Sequence, residues 1–247
     1  MTVLVTGARG DVGAAVLAGL MAAGEPVRAS SRAPRPGEFP AGIEVARVDL
    51  TDPASWPAAL AGVRKVFLYV HPEGVAQFAA AARKTGVEHV VLLSSSTVLH
   101  PDSEADPIAL RHITAERALD EAGLDRTFVR PGYYATNTLR WQLICTGRVL
   151  RTAFPEAVTS PATAREQVAA IAEALGEPVR LEETDVGTYR THLLTQLPGP
   201  IVERLLQARG NVPQLSAELA TDAVPEILGR PALTFAAWAR DHTADFR

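Results

Sequence analysis

Three evenly spaced glycines follow a short apolar strand at the start of this 247-residue chain. The stretch "VLVTGARGDVGAAVLAGL", from Val3 to Leu20, places Gly7, Gly10 and Gly13 between the strand and a helical pattern. Glycine allows sharp turns and close backbone approach that other residues resist. A strand-to-helix turn of this kind lets a pyrophosphate rest on backbone N–H groups at the start of the helix. The pattern predicts a dinucleotide-binding turn, and a tight turn without a ligand is the alternative.

Strand and helix signals alternate through the first half of the chain. Short apolar, β-branched segments are typical of parallel strands that are covered on both faces. Three of the helical stretches between them stop at glycines, namely Gly24, Gly86 and Gly123. We therefore expect an α/β fold with a doubly wound parallel Rossmann sheet. The predicted strands are Val3–Thr6, Val27–Ser30, Ile43–Val48, Val66–Val70, His89–Ser94 and Thr127–Arg130, and the predicted helices are Asp11–Ala23, Pro53–Leu60, Glu73–Lys84 and Pro107–Ala122.

The pattern changes after Pro131, where helical signals dominate. The stretch "PATAREQVAAIAEALG" predicts a helix with capping-box spacing between Thr163 and Glu166 and a stop at Gly176. The sequence "VRLEET" after it predicts a short strand. We expect an NAD(P)-binding Rossmann domain over residues 1–155 and a small, mostly helical C-terminal substrate lobe over residues 156–247. The two are expected to pack closely, with the cleft at their junction.

Composition excludes several classes of function. The net charge is −4 and the arginines are scattered, so no basic run points to a nucleic-acid partner. The single cysteine, Cys145, excludes an internal disulfide and a cysteine-rich metal site, and we expect no metal. No signal peptide is recognised, and no apolar run reaches the roughly 18 residues of a membrane span. We therefore expect no membrane partner and a cytoplasmic location.

The end of the second predicted strand indicates which dinucleotide binds. An acid at this position would hold the ribose hydroxyl of NAD, whereas arginine suits the 2′-phosphate of NADP. The sequence "VRASSRAPRP" has no acid between Val27 and Pro36. Arg32 stands where a guanidinium could grip the 2′-phosphate, and Arg9 in the glycine loop could face the same group. We predict a preference for NADP(H) over NAD(H), and the alternative is that these arginines are solvated loop charges.

Several motifs in order along the chain carry a resemblance to a known family. They are "VTGARGDVG", "DLTDP", "VVLLSSS", "HITAERALDEAGLDRTFVRPGYYATN" and "VPEILGRPALTFAAWARDH". With these motifs the chain resembles the NmrA-like group of atypical short-chain dehydrogenases. The resemblance implies a Rossmann domain with an NADP(H) site and a small C-terminal substrate lobe. The chain departs from the family after Pro161, where a helix and a strand of the usual pattern are missing.

The candidate cofactor residues combine the glycine loop, the ends of the predicted strands and positions implied by the resemblance. Asp49 is either an acceptor for the adenine amino group or a turn residue. His112 is either a ribose ligand, as the resemblance implies, or a histidine on the helix surface. The full set is Gly7, Arg9, Gly10, Asp11, Val12, Gly13, Ser31, Arg32, Asp49, Leu50, Tyr69, Val70, Ser94, His112 and Pro131.

The catalytic pair of ordinary short-chain dehydrogenases is missing from the sequence. No tyrosine is followed four residues later by a lysine, and Ile108 and His112 occupy the corresponding positions. The candidates that remain for catalysis are Ser95, His112 and Tyr133. We predict an NADPH-dependent reductase of a quinone or similar small acceptor, with Tyr133, Tyr134, Trp141 and Phe154 as aromatic contacts for the substrate or as core. The alternatives are a non-catalytic NADP(H) sensor that acts on a protein partner, and an isomerase or cyclase.

Overall fold

The structure is a computed structural model that describes residues 1–69, 71–140, 147–157, 162–210 and 221–247. Contacts divide the chain into two compact units, Met1–Pro131 and Gly132–Arg247. The domain boundary that the sequence predicts after residue 155 remains a prediction. Val70, Trp141 and Cys145, which the sequence analysis singled out, lie outside the described residues.

The first unit contains a six-stranded sheet in the order β3-β2-β1-β4-β5-β6, and every neighbouring pair is parallel. This order confirms the predicted Rossmann sheet. Its strands are β1 (Thr2–Val5), β2 (Val27–Ser31), β3 (Glu44–Arg47), β4 (Val63–Tyr69), β5 (His89–Leu93) and β6 (Arg126–Val129). Its helices are α1 (Asp11–Ala22), α2 (Trp56–Leu60), α3 (Val75–Thr85) and α4 (Pro107–Glu121).

Two hydrophobic clusters cover opposite faces of this sheet. Successive residues of a strand point to opposite faces, and neighbours such as Leu4 and Val5 belong to different clusters. One cluster holds residues of α2, α3 and α4, with Trp56 and Phe78 edge to face at 4.8 Å between ring centroids. The other holds Leu17 of α1. Apolar residues on both faces explain why the strands read as continuous apolar runs in the sequence.

Three element boundaries differ from the sequence prediction by more than one residue. Strand β4 begins at Val63, three residues before the predicted start, because Val63 is fully buried and extends the ladder to Thr2 although Arg64 and Lys65 follow it. Helix α3 begins at Val75, after a turn closed by the hydrogen bond from Gly74 N–H to the carbonyl of His71. The predicted helix Pro53–Leu60 divides into a 3-10 turn, Pro53–Ser55, and α2.

The second unit contains a parallel pair of strands joined by a helix, followed by further helices. Thr163 and Glu166 form the predicted capping box, and Gly176 ends the helix in the left-handed conformation with φ +66°. Leu150, Ile171, Phe235 and other apolar residues of this unit form one cluster. The elements are β7 (Val149–Thr152), α5 (Ala164–Leu175), β8 (Arg180–Glu183), α6 (Val186–Leu194), α7 (Gly199–Gly210), α8 (Ala223–Leu228) and α9 (Phe235–Asp241).

Within the described ranges, no three His, Cys, Asp or Glu side chains lie together in a group that could hold a metal ion. In the same part of the chain, each helix is too short or too polar to cross a membrane.

Candidate functional site

Two glycines of the loop after β1 are required by the protein itself. Gly7 has φ +63°, in the left-handed region, and an added Cβ would lie 3.1 Å from Cβ of Tyr69. At Gly13 an added Cβ would lie 2.2 Å from the carbonyl oxygen of Gly7. No side chain fits at that distance, so Gly13 lets α1 start directly against the loop.

The middle glycine has no such requirement within the protein. Gly10 has φ −82° and ψ 162°, which any residue adopts. An added Cβ would meet only the carbonyl oxygen of Gly7, at an ordinary 3.4 Å. Gly10 is also the N-cap of α1 and supplies no side-chain hydrogen bond, whereas Thr163 and Asp185 cap their helices in this way. The first N–H groups of α1 therefore suit an anion, and the binding of a pyrophosphate there remains a prediction.

Thr6 joins the ends of β1 and β4 beside this loop. Its buried hydroxyl donates to the carbonyl oxygen of Phe67 at 3.1 Å and accepts from the backbone N–H of Tyr69 at 2.7 Å. These two bonds fix the backbone of Tyr69 against Gly7. Sequence reasoning missed this role, because the partners lie more than 60 residues away along the chain.

A carboxylate from outside the acid-free window lies at the end of β2. The window from Val27 to Pro36 has no acid, but the fold brings Glu38 back to the strand. The Oε1 atom of Glu38 lies 3.2 Å from Oγ of Ser31 and 3.1 Å from Nη1 of Arg9. The window itself has no acid, and the carboxylate at the end of β2 comes from a residue beyond it. The Pro36–Gly37 turn is the sequence signal that could have revealed this return.

The arginines near β2 have different environments. Arg28 is structural, because its Nη1 donates to the carbonyl oxygens of Ala59 and Ala61 at 2.6 and 2.9 Å. The Arg32 side chain is exposed and forms no ion pair or hydrogen bond with the described residues. Its charge nevertheless helps to lower the pKa of Asp49. Arg32 is therefore exposed, and its contact with a 2′-phosphate remains a prediction.

Asp49 acts as a turn residue in this structure. Its Oδ1 accepts from the backbone N–H of Thr51 at 3.0 Å and from the Thr51 hydroxyl at 2.8 Å. These bonds are the main cause that lowers the pKa of Asp49, with smaller contributions from Arg32 and His71. Contact of Asp49 with adenine remains a prediction. Next to it, Leu50, Tyr69 and His71 line a small recess.

Ser94 points into a buried ionic cluster. Its Oγ donates to Oε1 of Glu116 at 2.5 Å, and Arg130 binds both oxygens of the same carboxylate. Ser94 is 2% exposed and Glu116 is 8% exposed. The cluster joins the ends of β5 and β6 to α4. The hydroxyl of Ser94 therefore serves packing here, and its predicted place beside the nicotinamide is untested.

The other residues proposed for the nicotinamide side lie after β5, on α4 and after β6. Ser95 caps the 3-10 turn Ser96–Leu99, accepting from Thr97 N–H at 3.3 Å, and the Pro131 carbonyl accepts from Ser96 N–H at 2.9 Å. His112 is half-buried, and its Nδ1 has no hydrogen-bond partner among the described residues. Burial, followed by the charge of Arg111, lowers the pKa of His112. Contact of His112 with the ribose, which the resemblance implies, remains a prediction.

Most of the predicted cofactor residues share one edge of the sheet. The glycine loop follows β1, Ser31 ends β2 and Asp49 follows β3. Tyr69 ends β4, and Ser94 follows β5. The carboxyl ends of parallel strands lie on the same edge, which is where ligands bind in open α/β sheets. Tyr133 belongs to the second unit, as does the Phe154–Tyr189 ring pair, whose centroids lie 6.2 Å apart.

Known proteins are similar to this chain in sequence and in fold. A family model described as NAD(P)H-binding matches residues 7–178. The chain is 34% identical to the (4-alkanoyl-5-oxo-2,5-dihydrofuran-3-yl)methyl phosphate reductase of Streptomyces griseus, and the alignment covers 99% of both chains. It is 29% identical to the NAD(P)H azoreductase of Xenophilus azovorans, again over 99% of both chains.

The alignment with the Streptomyces protein also bears on the missing segment. It spans 285 positions, whereas this chain has 247 residues, so at least 38 positions face a gap in this chain. That length corresponds to the helix and strand that the sequence analysis expects to be missing. Their location after Pro161 remains a prediction.

A solved structure supports the fold independently. The chain superimposes on the NADPH-dependent quinone oxidoreductase of Escherichia coli, crystallised with NADPH, with a TM-score of 0.74. The superposition covers 98% of this chain and 99% of that one, at 21% identity. At this identity the likeness concerns the fold alone.

Proposed function

Because this chain belongs to the NAD(P)H-binding family of reductases, we propose that it is an NADPH-dependent reductase of a quinone or similar small acceptor. The resemblance to the NmrA-like group of atypical short-chain dehydrogenases is confirmed by the same match and by the shared fold. The observation that carries the proposal is Gly10, since the described residues around it leave room for a Cβ, whereas a bound pyrophosphate would need that space.

Different residues bind different parts of the cofactor. The uncapped N–H groups of α1 hold the pyrophosphate, and Arg32 binds the 2′-phosphate. Tyr69 and Leu50 flank the adenine side. His112 donates or accepts a hydrogen bond at the nicotinamide ribose, as the resemblance implies. When bound, the nicotinamide supplies the hydride.

The kind of hydride acceptor is inferred from the absence of a catalytic proton donor in the sequence. The sequence has no Tyr-x-x-x-Lys pair, Ser95 is engaged as a cap and Ser94 is bonded to Glu116. A quinone spreads the charge of an added hydride onto its oxygens and needs no strong proton donor in the protein. The relatives named above act on an azo compound, a quinone and an oxo-dihydrofuran, and each of these is conjugated. The chain's contribution is to hold and orient the reactants.

Stopped-flow absorbance at the NADPH band tests this proposal. Purified protein is mixed with NADPH and a panel of quinones, azo dyes and unsaturated lactones. Consumption of NADPH with a hyperbolic dependence on acceptor supports the reductase. Tight binding of NADPH without consumption by any acceptor would instead support the sensor, which the missing catalytic pair favours. Conversion of a substrate without net NADPH consumption would support an isomerase or cyclase.

A further inference from the structure

The carboxylate of Glu38 lies among three hydrogen-bond donors at the end of β2. Its Oε1 lies 3.2 Å from Oγ of Ser31 and 3.1 Å from Nη1 of Arg9, and its Oε2 accepts from the backbone N–H of Arg35 at 3.1 Å. The Glu38 side chain is only 9% exposed, whereas Arg9 is 52% exposed. The carboxylate is therefore held in place by a hydroxyl, a guanidinium and a backbone amide.

A short turn brings Glu38 to this position. Pro36 and Gly37 are its central residues, the N–H of Glu38 donates to the carbonyl oxygen of Arg35 at 3.2 Å, and Gly37 has φ +74°. Proline followed by glycine is the sequence that such a turn prefers. Phe39, the next residue, packs against the hydrophobic cluster that contains Leu17 of α1. The turn and this anchor together direct Glu38 back towards β2.

The three donors are also the groups that a phosphate monoester uses. Phosphate oxygens accept charge-assisted hydrogen bonds from arginine and further bonds from hydroxyl and backbone N–H groups. The end of β2 is the position at which this fold places the ribose that carries the 2′-phosphate. Glu38 and a 2′-phosphate therefore compete for Ser31 and Arg9, and two like charges at one site repel each other.

We propose that Glu38 is a specificity-determining residue that occupies the 2′-phosphate position in the free protein. The proposal rests on the proposed function, in which NADPH is the cofactor. NADP(H) binds only after Glu38 has released Arg9 and Ser31, so the carboxylate weakens its binding. The ribose hydroxyls of NAD(H) donate to a carboxylate, so NAD(H) binds without displacing it. Glu38 thus reduces the difference in affinity between NADP(H) and NAD(H) that Arg32 creates.

Isothermal titration of NADPH and NADH into three proteins tests this role. The proteins are the wild type, Glu38→Gln and Glu44→Gln. Glu44 is a matched control, because it also pairs with an arginine, Arg28, but lies at the amino end of β3, away from the ligand edge. We expect Glu38→Gln to bind NADPH about tenfold tighter than the wild type, with the Kd for NADH changed less than about threefold. Glu44→Gln should leave both values unchanged.

A double-mutant cycle with Arg9 tests the cause of the gain. If Glu38 acts by competing for Arg9, the tighter binding in Glu38→Gln largely disappears in the Arg9→Ala background. Circular dichroism and thermal unfolding establish that each variant is folded. If Glu38→Gln does not fold, Glu38→Asp takes its place, because the shorter side chain keeps the charge but cannot reach Ser31 and Arg9 together. It should tighten NADPH binding by a smaller factor.

The two proposals fail in different ways in this experiment. A wild type that binds neither dinucleotide overturns the proposed function and this inference with it. A wild type that binds NADPH, combined with a Glu38→Gln protein that binds it no tighter than Glu44→Gln, overturns only the inference. In that case Glu38 would serve to hold Arg9 and Ser31 in place for the phosphate.

Discussion

Arg130 and Glu116 form a two-point ion pair, with Nε of Arg130 2.9 Å from Oε1 of Glu116 and Nη2 2.7 Å from Oε2. The pair holds the end of β6 against α4, and Ser94 at the end of β5 donates to the same carboxylate. The hydrogen bonds that Arg130 donates to Glu116 raise the pKa of Arg130. Three elements at the ligand edge of the sheet therefore depend on one side chain.

Replacing Glu116 should destabilise the protein more than an ordinary surface ion pair would. Glu116→Ala leaves Arg130 and the buried Ser94 hydroxyl without their acceptor, and we expect a loss of about 2–3 kcal/mol in the free energy of unfolding. Glu104→Ala is the matched control, because Glu104 pairs with Arg117 and both side chains are more than 60% exposed. It should cost less than about 1 kcal/mol. Urea denaturation measures both, and equal losses would contradict the structural role of Glu116.

Two glycines of the loop should respond in opposite ways to replacement by valine. Gly13→Val places a Cβ at 2.2 Å from the carbonyl oxygen of Gly7, so the loop must shift and we expect destabilisation of roughly 1–3 kcal/mol. Gly10→Val keeps an allowed backbone, and its Cβ would lie no closer than 3.4 Å to the Gly7 carbonyl oxygen, so we expect it to fold normally. Its side chain would stand where the pyrophosphate binds, and NADPH binding should be lost.

Thermal unfolding and calorimetric titration with NADPH separate these two effects. A folded Gly10→Val protein that bound NADPH like the wild type would show that the loop is a tight turn without a ligand. A Gly13→Val protein as stable as the wild type would show that α1 can move away from the loop.

Arg32 should distinguish the two dinucleotides. A guanidinium–phosphate contact contributes roughly 1.5–3 kcal/mol, so Arg32→Ala should weaken NADPH binding about tenfold to a hundredfold. The Kd for NADH should stay nearly the same, because NADH has no 2′-phosphate. Arg64→Ala is the control, since Arg64 pairs with Glu88 and lies near the amino end of β4. Equal weakening of NADPH and NADH binding by Arg32→Ala would count against a 2′-phosphate contact.

Much of the fold could be predicted from the sequence because its signals are local. The apolar runs, the glycines after helices and the capping box of Thr163 each depend on residues a few positions apart, and all agree with the structure. The start of β4 could not be predicted in this way, because Arg64 and Lys65 interrupt the apolar pattern while the ladder to β1 continues.

The candidate site was less accessible to sequence reasoning because its contacts are distant along the chain. Ser94 and Glu116 are 22 residues apart, and Glu116 and Arg130 are 14 apart. Such pairs form only when strands and helices have assembled, so no periodic pattern encodes them. Glu38 is only seven residues from Ser31, but its contact depends on a turn that reverses the chain. The glycine loop was predictable since spacing alone defines it.

The stability of the protein should decrease as the pH is lowered, because His112 becomes protonated. Burial lowers the pKa of His112 below its ordinary 6.5, so the unfolded chain binds the proton at a higher pH than the folded one. Stability from this group is complete above about pH 7 and is lost as pH falls from 6.5 through the folded pKa. The slope cannot exceed about 1.4 kcal/mol per pH unit for one proton. His112→Gln should flatten this part of the curve in urea denaturation, whereas His192→Gln, in the second unit, should leave it in place.

No single side chain should behave as an essential general acid. General acid catalysis typically contributes about 10²–10⁴-fold, so Ser95→Ala, His112→Ala and Tyr133→Phe should each lower kcat by less than about a hundredfold, through placement of the reactants. His112 is the sharpest test, because its lowered pKa leaves it neutral near pH 7 and its buried Nδ1 has no partner among the described residues. Kinetics of each variant, with NADPH affinity measured separately, decide the outcome.

A thousandfold loss of kcat in His112→Ala with unchanged NADPH binding would make His112 a proton donor. The substrate would then be a carbonyl that requires protonation, and the preference for a quinone would be wrong.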